Sequence, residues 1–221
     1  MRKLGIAVTA IACLMVAAVT FAADAPVAGP AKGQMEIGLM GGMAVPSGKL
    51  AADVELDADG YLTAETGVKM KLGFGGGLYF DYFVTPMFAI GLDGGYVTMA
   101  NQDDSAIKAN TMQYGIHGKY VIPTGGPLVP YLQIGCAGYG QKLEDKVDGI
   151  AESFSGNKFG FNGGVGVGFK VSPAVAIGVN GFYHMAGKFE PEVDGTKVEL
   201  LKDWNYMTFN AVVTFTIPKA K

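Results

Sequence analysis

The sequence has 221 residues, a formal net charge of −3 and 49% hydrophobic residues. That balance carries no basic stripe and so excludes a nucleic-acid binder, and no internal apolar run reaches the roughly 20 residues of a membrane helix. Glycine, with 34 residues, is about twice as frequent as its usual share of roughly 7%.

The chain opens with Arg2-Lys3, an apolar stretch from Leu4 to Ala18, and small residues Thr20 and Ala22 at the −3 and −1 positions of a cut before Ala23. This pattern predicts a secretory signal peptide over residues 1–22. An uncleaved helix over residues 4–22 is just long enough to span a membrane, but the small-residue site and the loose ADAPVAGPAKG that follows favour cleavage. A lipoprotein signal ending at Cys13 is disfavoured by Ala10-Ile11-Ala12 and by the apolar run continuing past it. Loss of Arg2 and Lys3 takes the charge from −3 to −5 and leaves Cys136 as the single thiol, with no internal disulfide. Residues 23–33, rich in Ala, Pro and Gly, read as a linker.

From residue 34 the pattern is period two, which means strand, because successive side chains point to opposite faces. The first strand spans residues 34–45, with Ile37 and Leu39 opposite Glu36, Gly38 and Met40; Pro46-Ser47-Gly48 ends it. A polar connection runs to about Thr66. Residues 67–82 and 87–99 form the clearest pair: Phe74, Leu78, Phe80 and Tyr82 oppose Gly75, Gly77, Tyr79 and Asp81, and Phe88, Ile90, Leu92 and Tyr96 oppose Ala89, Gly91 and Asp93. Pro86 makes the pair a hairpin. After the polar NQDDSAIKAN comes the fourth strand, residues 111–122; a Pro-Gly turn leads to the fifth, residues 129–141. A third polar connection, residues 142–157, precedes the sixth and seventh strands, residues 158–171 and 174–185, joined at Ser172-Pro173. A fourth connection, residues 186–203, leads to the eighth strand, residues 204–217, and a tail over residues 218–221.

The predicted fold is therefore all-β: an eight-stranded antiparallel up-and-down transmembrane barrel over residues 34–217. Short Pro-containing turns alternate with long polar loops, as in an outer-membrane barrel, and each strand is long enough for the roughly 9–11 residues that crossing requires. A soluble eight-stranded barrel would put its bulky apolar residues inside. Two features oppose that. Glycine concentrates on the polar face, which suits a lumen with room only for side chains. Aromatics sit near strand ends, Phe80, Tyr82, Phe88, Tyr120 and Phe169 toward the turns and Tyr96, Tyr114, Tyr183 and Trp204 toward the loops, as interfacial girdles do.

The runs GGGLYFDYFVTPMFAIGLDGGY, PTGGPLVPYLQIGCAGYG and GFNGGVGVGFKVSPAVAIGVNGFY resemble the small outer-membrane barrels of the OmpA/OmpX type. The resemblance covers residues 34–217 and implies an integral protein of a Gram-negative cell envelope. It departs at the end: the family usually closes on an aromatic residue read by the insertion machinery, whereas Phe215 is followed by TIPKAK. The C-terminal peptidoglycan-binding domain of OmpA is also not expected.

The same parity puts Glu36, Lys69, Lys71, Asp81, Asp93, Gln113, His117, Lys119, Asn162, Lys170, Asn180 and His184 in the lumen. Buried charges must pair or they destabilise, so the expectation is a plug of ion pairs, Glu36 with Lys69 or Lys71 and Asp93 with Lys119. The alternative is a wet path for ions or small solutes. His184 invites comparison with lipid A-modifying enzymes, but its neighbours Met185, Ala186 and Gly187 supply no nucleophile. Glu55 to Gly60 echoes a calcium loop, yet the twelfth position, where a bidentate Glu belongs, is Thr66. Cys136 faces lipid as a small apolar residue. No residue is assigned to catalysis, a cofactor or a metal. The expected role is structural or surface-interactive without catalysis, with a narrow pore or a lipid A-modifying enzyme as alternatives. Expected partners are membrane lipids including lipopolysaccharide and the outer-membrane insertion machinery, with no nucleic acid; the expected state is a monomer.

Overall fold

A computed structural model describes residues 29–51, 69–102, 107–147, 150–193, 196–197 and 201–217. The expected signal peptide, the acidic Glu55–Gly60 stretch and the tail at 218–221 lie outside the described residues, as does the linker before Gly29.

Eight strands close on themselves. They are β1 (Met35–Ser47), β2 (Gly73–Thr85), β3 (Phe88–Ala100), β4 (Lys108–Val121), β5 (Leu128–Val147), β6 (Ile150–Lys170), β7 (Val175–Met185) and, after a two-residue hairpin of β8 (Glu192–Val193) with β9 (Thr196–Lys197), β10 (Asn205–Ile217). Each barrel strand pairs antiparallel with its neighbours in sequence, and β1 closes on β10 from Met35↔Ile217 to Ser47↔Asn205. Closure satisfies the ladder on every strand, which is what hydrocarbon demands of a sheet. Side-chain caps fix the three short turns. Thr85 Oγ1 accepts the Met87 and Phe88 amides, Thr124 donates to the Leu128 carbonyl, and Ser172 Oγ accepts the Ala174 and Val175 amides.

The faces fall as parity requires. Leu78 and Ile134 are 56% and 74% exposed on the outside, while Asp81 and His117 are buried within. On β6, Phe161 and Val165 look out and Asn162 and Lys170 look in. Phe169 also faces outward, flanked across the ladders by Leu128 and Ile177, and is covered. No helix among the described residues is long and apolar enough to cross a membrane; the strands cross it.

Two segments depart from the sequence reading. The second strand starts at Gly73, not near residue 67; before it Met70 makes one bridge to Asn101. The expected third connection, residues 142–157, is largely ladder: β5 and β6 stay paired from Leu128↔Phe169 to Val147↔Ile150. Alternation explains the extension. Leu143 and Phe154 turn inward against the cluster at the barrel mouth, while Ser153, Ser155 and Asn157 face outward and are exposed.

Candidate functional site: the lumen and its two ends

The lumen is built by pairing large residues with absent ones. Tyr79 stands across the ladder from Gly38, and a Cβ there would lie 2.0 Å from its ring. Tyr131 opposes Gly166 at 2.2 Å in the same sense, and Phe182 opposes Gly164 at 2.5 Å. Glycine on one strand thus makes the volume that an aromatic on the next strand fills. These inward aromatics were missing from the predicted lumen; their signal was present, an aromatic at lumen parity opposite a glycine.

Lys119, His117, Asp81, Asp93 and Glu36 form one knot. Lys119 Nζ lies 2.6 Å from Asp81 Oδ2 and 3.8 Å from Glu36 Oε2, between the rings of Tyr79 and Tyr131, whose centroids are 4.7 and 4.6 Å away. Two carboxylates and two aromatic faces thus surround one ammonium, the compensation that burial requires. His117 bridges the other side, Nε2 to Asp81 Oδ1 at 2.7 Å and Nδ1 to Asp93 Oδ1 at 2.8 Å. Gln113 donates to the second oxygen of Asp93, and Gln34 Nε2 donates to Glu36 at 3.0 Å.

The pairing differs from the expected one. Glu36 meets Lys119, not Lys69 or Lys71, because β1 begins at the turn end, where Glu36 stands opposite Asp81. Lys69 and Lys71 precede β2 at the loop end, Lys71 exposed and Lys69 half-buried. Asp93 binds His117 and Gln113 instead of Lys119. In register, Lys119 lies opposite Ala89 and Asp93 opposite Gly115, four residues apart along each strand.

Above the knot uncharged polar side chains meet among apolar ones such as Met40, Val97 and Phe182. Asn210 donates to Asn180 at 2.9 Å, and Asn180 donates to Tyr131 at 3.3 Å. A cavity of about 40 Å³ reaches from Asp93 and Gln113 to Asn162, Asn180 and Thr208, enough for a few waters at roughly 10–15 Å³ each. His184 borders it, with Nε2 3.2 Å from Thr208 Oγ1 and Nδ1 3.3 Å from Tyr139 Oη, and its ring stacked on Tyr206 at 4.5 Å. The hydroxyl that local sequence did not supply therefore comes from the neighbouring strand.

Apolar clusters close both ends. On the turn side Phe83, Ala89, Val121, Tyr131 and Phe182 pack together. At the loop mouth Leu50, Met99, Phe189, Leu201 and Trp204 are almost fully buried in a second cluster. Trp204 donates to Thr111 Oγ1 at 2.8 Å and packs on Phe189. The Phe189 and Leu201 backbones bond each other, and the Trp204 amide bonds the Gly187 carbonyl. Trp204 is thus a cap residue, not a member of the outer girdle. Exposed Tyr96, Tyr114 and Tyr183 form that girdle toward the loops, with Tyr82, Phe88 and Tyr120 toward the turns. Cys136 is half-buried on the outer wall between Ile116 and Phe161.

A closed antiparallel barrel with an apolar outer band, aromatic edges and a packed polar interior is the architecture of a transmembrane β-barrel protein. The model of the outer membrane protein beta-barrel domain family matches residues 9–215; the chain belongs to that family, and its place is the outer membrane. Three solved structures share the fold. Neisserial surface protein A is 17% identical, covering 83% of this chain and 99% of that one, with a TM-score of 0.56. OprG of Pseudomonas aeruginosa is 16% identical, covering 87% and 100%, with a TM-score of 0.55. Ail, the attachment invasion locus protein of Yersinia pestis, solved with the heparin analogue sucrose octasulfate, is 14% identical, covering 84% and 99%, with a TM-score of 0.50. No curated protein matches the sequence.

Proposed function

We propose that this protein is a closed scaffold of the outer membrane with a structural or surface-interaction role, neither a conducting pore nor an enzyme. The observation that carries the reading is the double closure. A solute entering from the loop side meets the Trp204–Phe189–Leu201 cap, and one entering from the turn side meets the Phe83 cluster, with the Lys119 knot between. A wet path would need polar groups lining an opening at both ends. Acyl transfer would need a substrate to reach His184, yet that ring is stacked on Tyr206 beneath the cap and both its nitrogens are engaged. The names of Neisserial surface protein A and the attachment protein Ail favour a surface role, and loops on rigid barrels are where such roles reside. In this reading the barrel is a monomer surrounded by lipid, including lipopolysaccharide, and was placed there by the insertion machinery.

The test is single-channel recording in planar bilayers with purified protein whose gel mobility shifts on heating. Silence is expected at all voltages. Discrete, reproducible openings would overturn the closed reading and restore the narrow pore. Lipid A mass is expected to be unchanged on overexpression; a new lipid A species that His184→Ala abolishes would make it an enzyme.

A further inference from the structure

Among the described residues, the outer wall changes chemistry across β4, β5 and β6. There the ladder sets outward residues in rows of three. The lowest row is Tyr114–Gly138–Phe159, where the Tyr114 ring lies over the bare glycine, within 2.8 Å of where a Cβ would stand. The next rows are Met112–Gly140–Asn157, Asn110–Lys142–Ser155 and Lys108–Glu144–Ser153, of which Asn110 is buried and offers no surface. Tyr114 and Phe159 are 59% and 66% exposed and belong to the lipid-facing band. Lys108, Ser153, Ser155 and Asn157 are exposed, and Lys142, half exposed, pairs with Glu144 at 2.8 Å. On the far side, Val45 with Met207 and Met43 with Phe209 and Phe74 keep the wall apolar almost to the point where β1 meets β10 at Ser47 and Asn205.

The Lys142 row lies four residues beyond the aromatic row, about 13 Å along a strand. With the usual tilt of about 35–45° this is a rise of about 10 Å, which carries the row across the headgroup layer of roughly 5–8 Å above hydrocarbon to its outer edge. The strip offers two ammonium groups, one carboxylate, two hydroxyls and a carboxamide, standing on an aromatic ledge. That is a surface for phosphate and sugar hydroxyls together, with acyl chains below.

We propose that the outward face of β4, β5 and β6 above Tyr114 and Phe159 is a docking surface for the headgroup of a phosphorylated glycolipid of the outer leaflet. Lys108 and Lys142 contact its phosphates, and Ser153, Ser155, Asn157 and Glu144 its sugar hydroxyls. The inference rests on the membrane-barrel reading, with the long loops outward. The strip is continuous with the apolar band, so the molecule whose chains cover that band presents its headgroup here.

The test uses the full mature protein in nanodiscs, with lipopolysaccharide or phosphatidylglycerol as probe and retained lipid read by native mass spectrometry. Wild type is expected to hold lipopolysaccharide more tightly than phosphatidylglycerol. Lys108→Glu with Lys142→Glu should weaken lipopolysaccharide by about ten- to thirty-fold, from two lysines at a membrane surface, while Lys32→Glu at the turn end leaves it unchanged. Should the double Glu variant fail to fold, Lys108→Gln with Lys142→Gln replaces it, with a smaller loss expected. Equal retention of lipopolysaccharide by wild type and the folded variant would overturn the proposal, as would equal retention of the two lipids by wild type. A wild type with no heat-shifted band would instead overturn the barrel reading beneath it.

Discussion

The charged knot and the cap at the loop mouth stop the lumen by different means. The lower stop is electrostatic: Lys119, held by Asp81, Glu36 and two tyrosine faces, with His117 tied between Asp81 and Asp93. The upper stop is a small apolar core, Leu50, Phe189, Leu201 and Trp204 over Tyr139 and Tyr206. The knot's Lys119, His117, three carboxylates and two tyrosines all stand on β1 to β5, so its geometry is fixed by the ladder. The cap draws mostly on residues between strands, held by a few backbone bonds and one indole hydrogen bond. A wall that must be dry outside can thus carry a charged interior, provided every charge has its partners, and leave the apolar packing to its two ends.

The sharpest way to break this contrast is Lys119→Met. Asp81 and Glu36 would then be buried without their cation, a loss of about 3–5 kcal/mol, read as a lower midpoint for the heat-induced gel shift and for urea unfolding in vesicles. Adding Asp81→Asn and Glu36→Gln should recover most of it, because no orphan charge remains. A single variant as stable as wild type would mean that the knot contributes nothing and that the lumen tolerates free carboxylates.

Next in size is Trp204→Ala. It removes a fully buried indole and should cost about 3 kcal/mol, at the low end for such truncations because the mouth borders water and can rehydrate. The bilayer recording should stay silent, because the knot still closes the lumen below. Steady openings in this variant, absent from wild type, would mean that the cap alone seals the barrel.

The two stops also differed in how far they could be read in advance. Parity alone put Glu36, Asp81, Asp93, His117 and Lys119 inside, because each sits on a long alternating strand. It did not give the partners, because those depend on register: a strand length separates Lys71 from Glu36, and sequence alternation does not encode that offset. The cap was not legible. Leu50, Phe189 and Leu201 lie in connections with no period, and Trp204 at a strand end reads as a girdle residue until the chain between β7 and β10 is seen folding back over the mouth. The extension of β5 and β6 was hidden for the opposite reason: its outward residues are as polar as a loop, and only Leu143 and Phe154 kept the alternation.

The smallest effects test the rule that a glycine standing across the ladder from an aromatic makes room for its ring, while a glycine with no such neighbour is merely bare. Gly166→Ala would drive a Cβ to 2.2 Å from the Tyr131 ring, and that ring covers the Lys119 ammonium. Overpacking there should cost about 1–3 kcal/mol. Gly41→Ala, on the lipid face of β1, meets nothing nearer than a carbonyl oxygen at 3.8 Å and should change stability by less than about 0.5 kcal/mol. Tyr131→Leu in the Gly166→Ala background should return part of the loss, since the clash is with the ring and not with the ladder. Equal costs at Gly41 and Gly166 would show that both glycines serve the strand backbone alone and that the interior is not shaped by its aromatics.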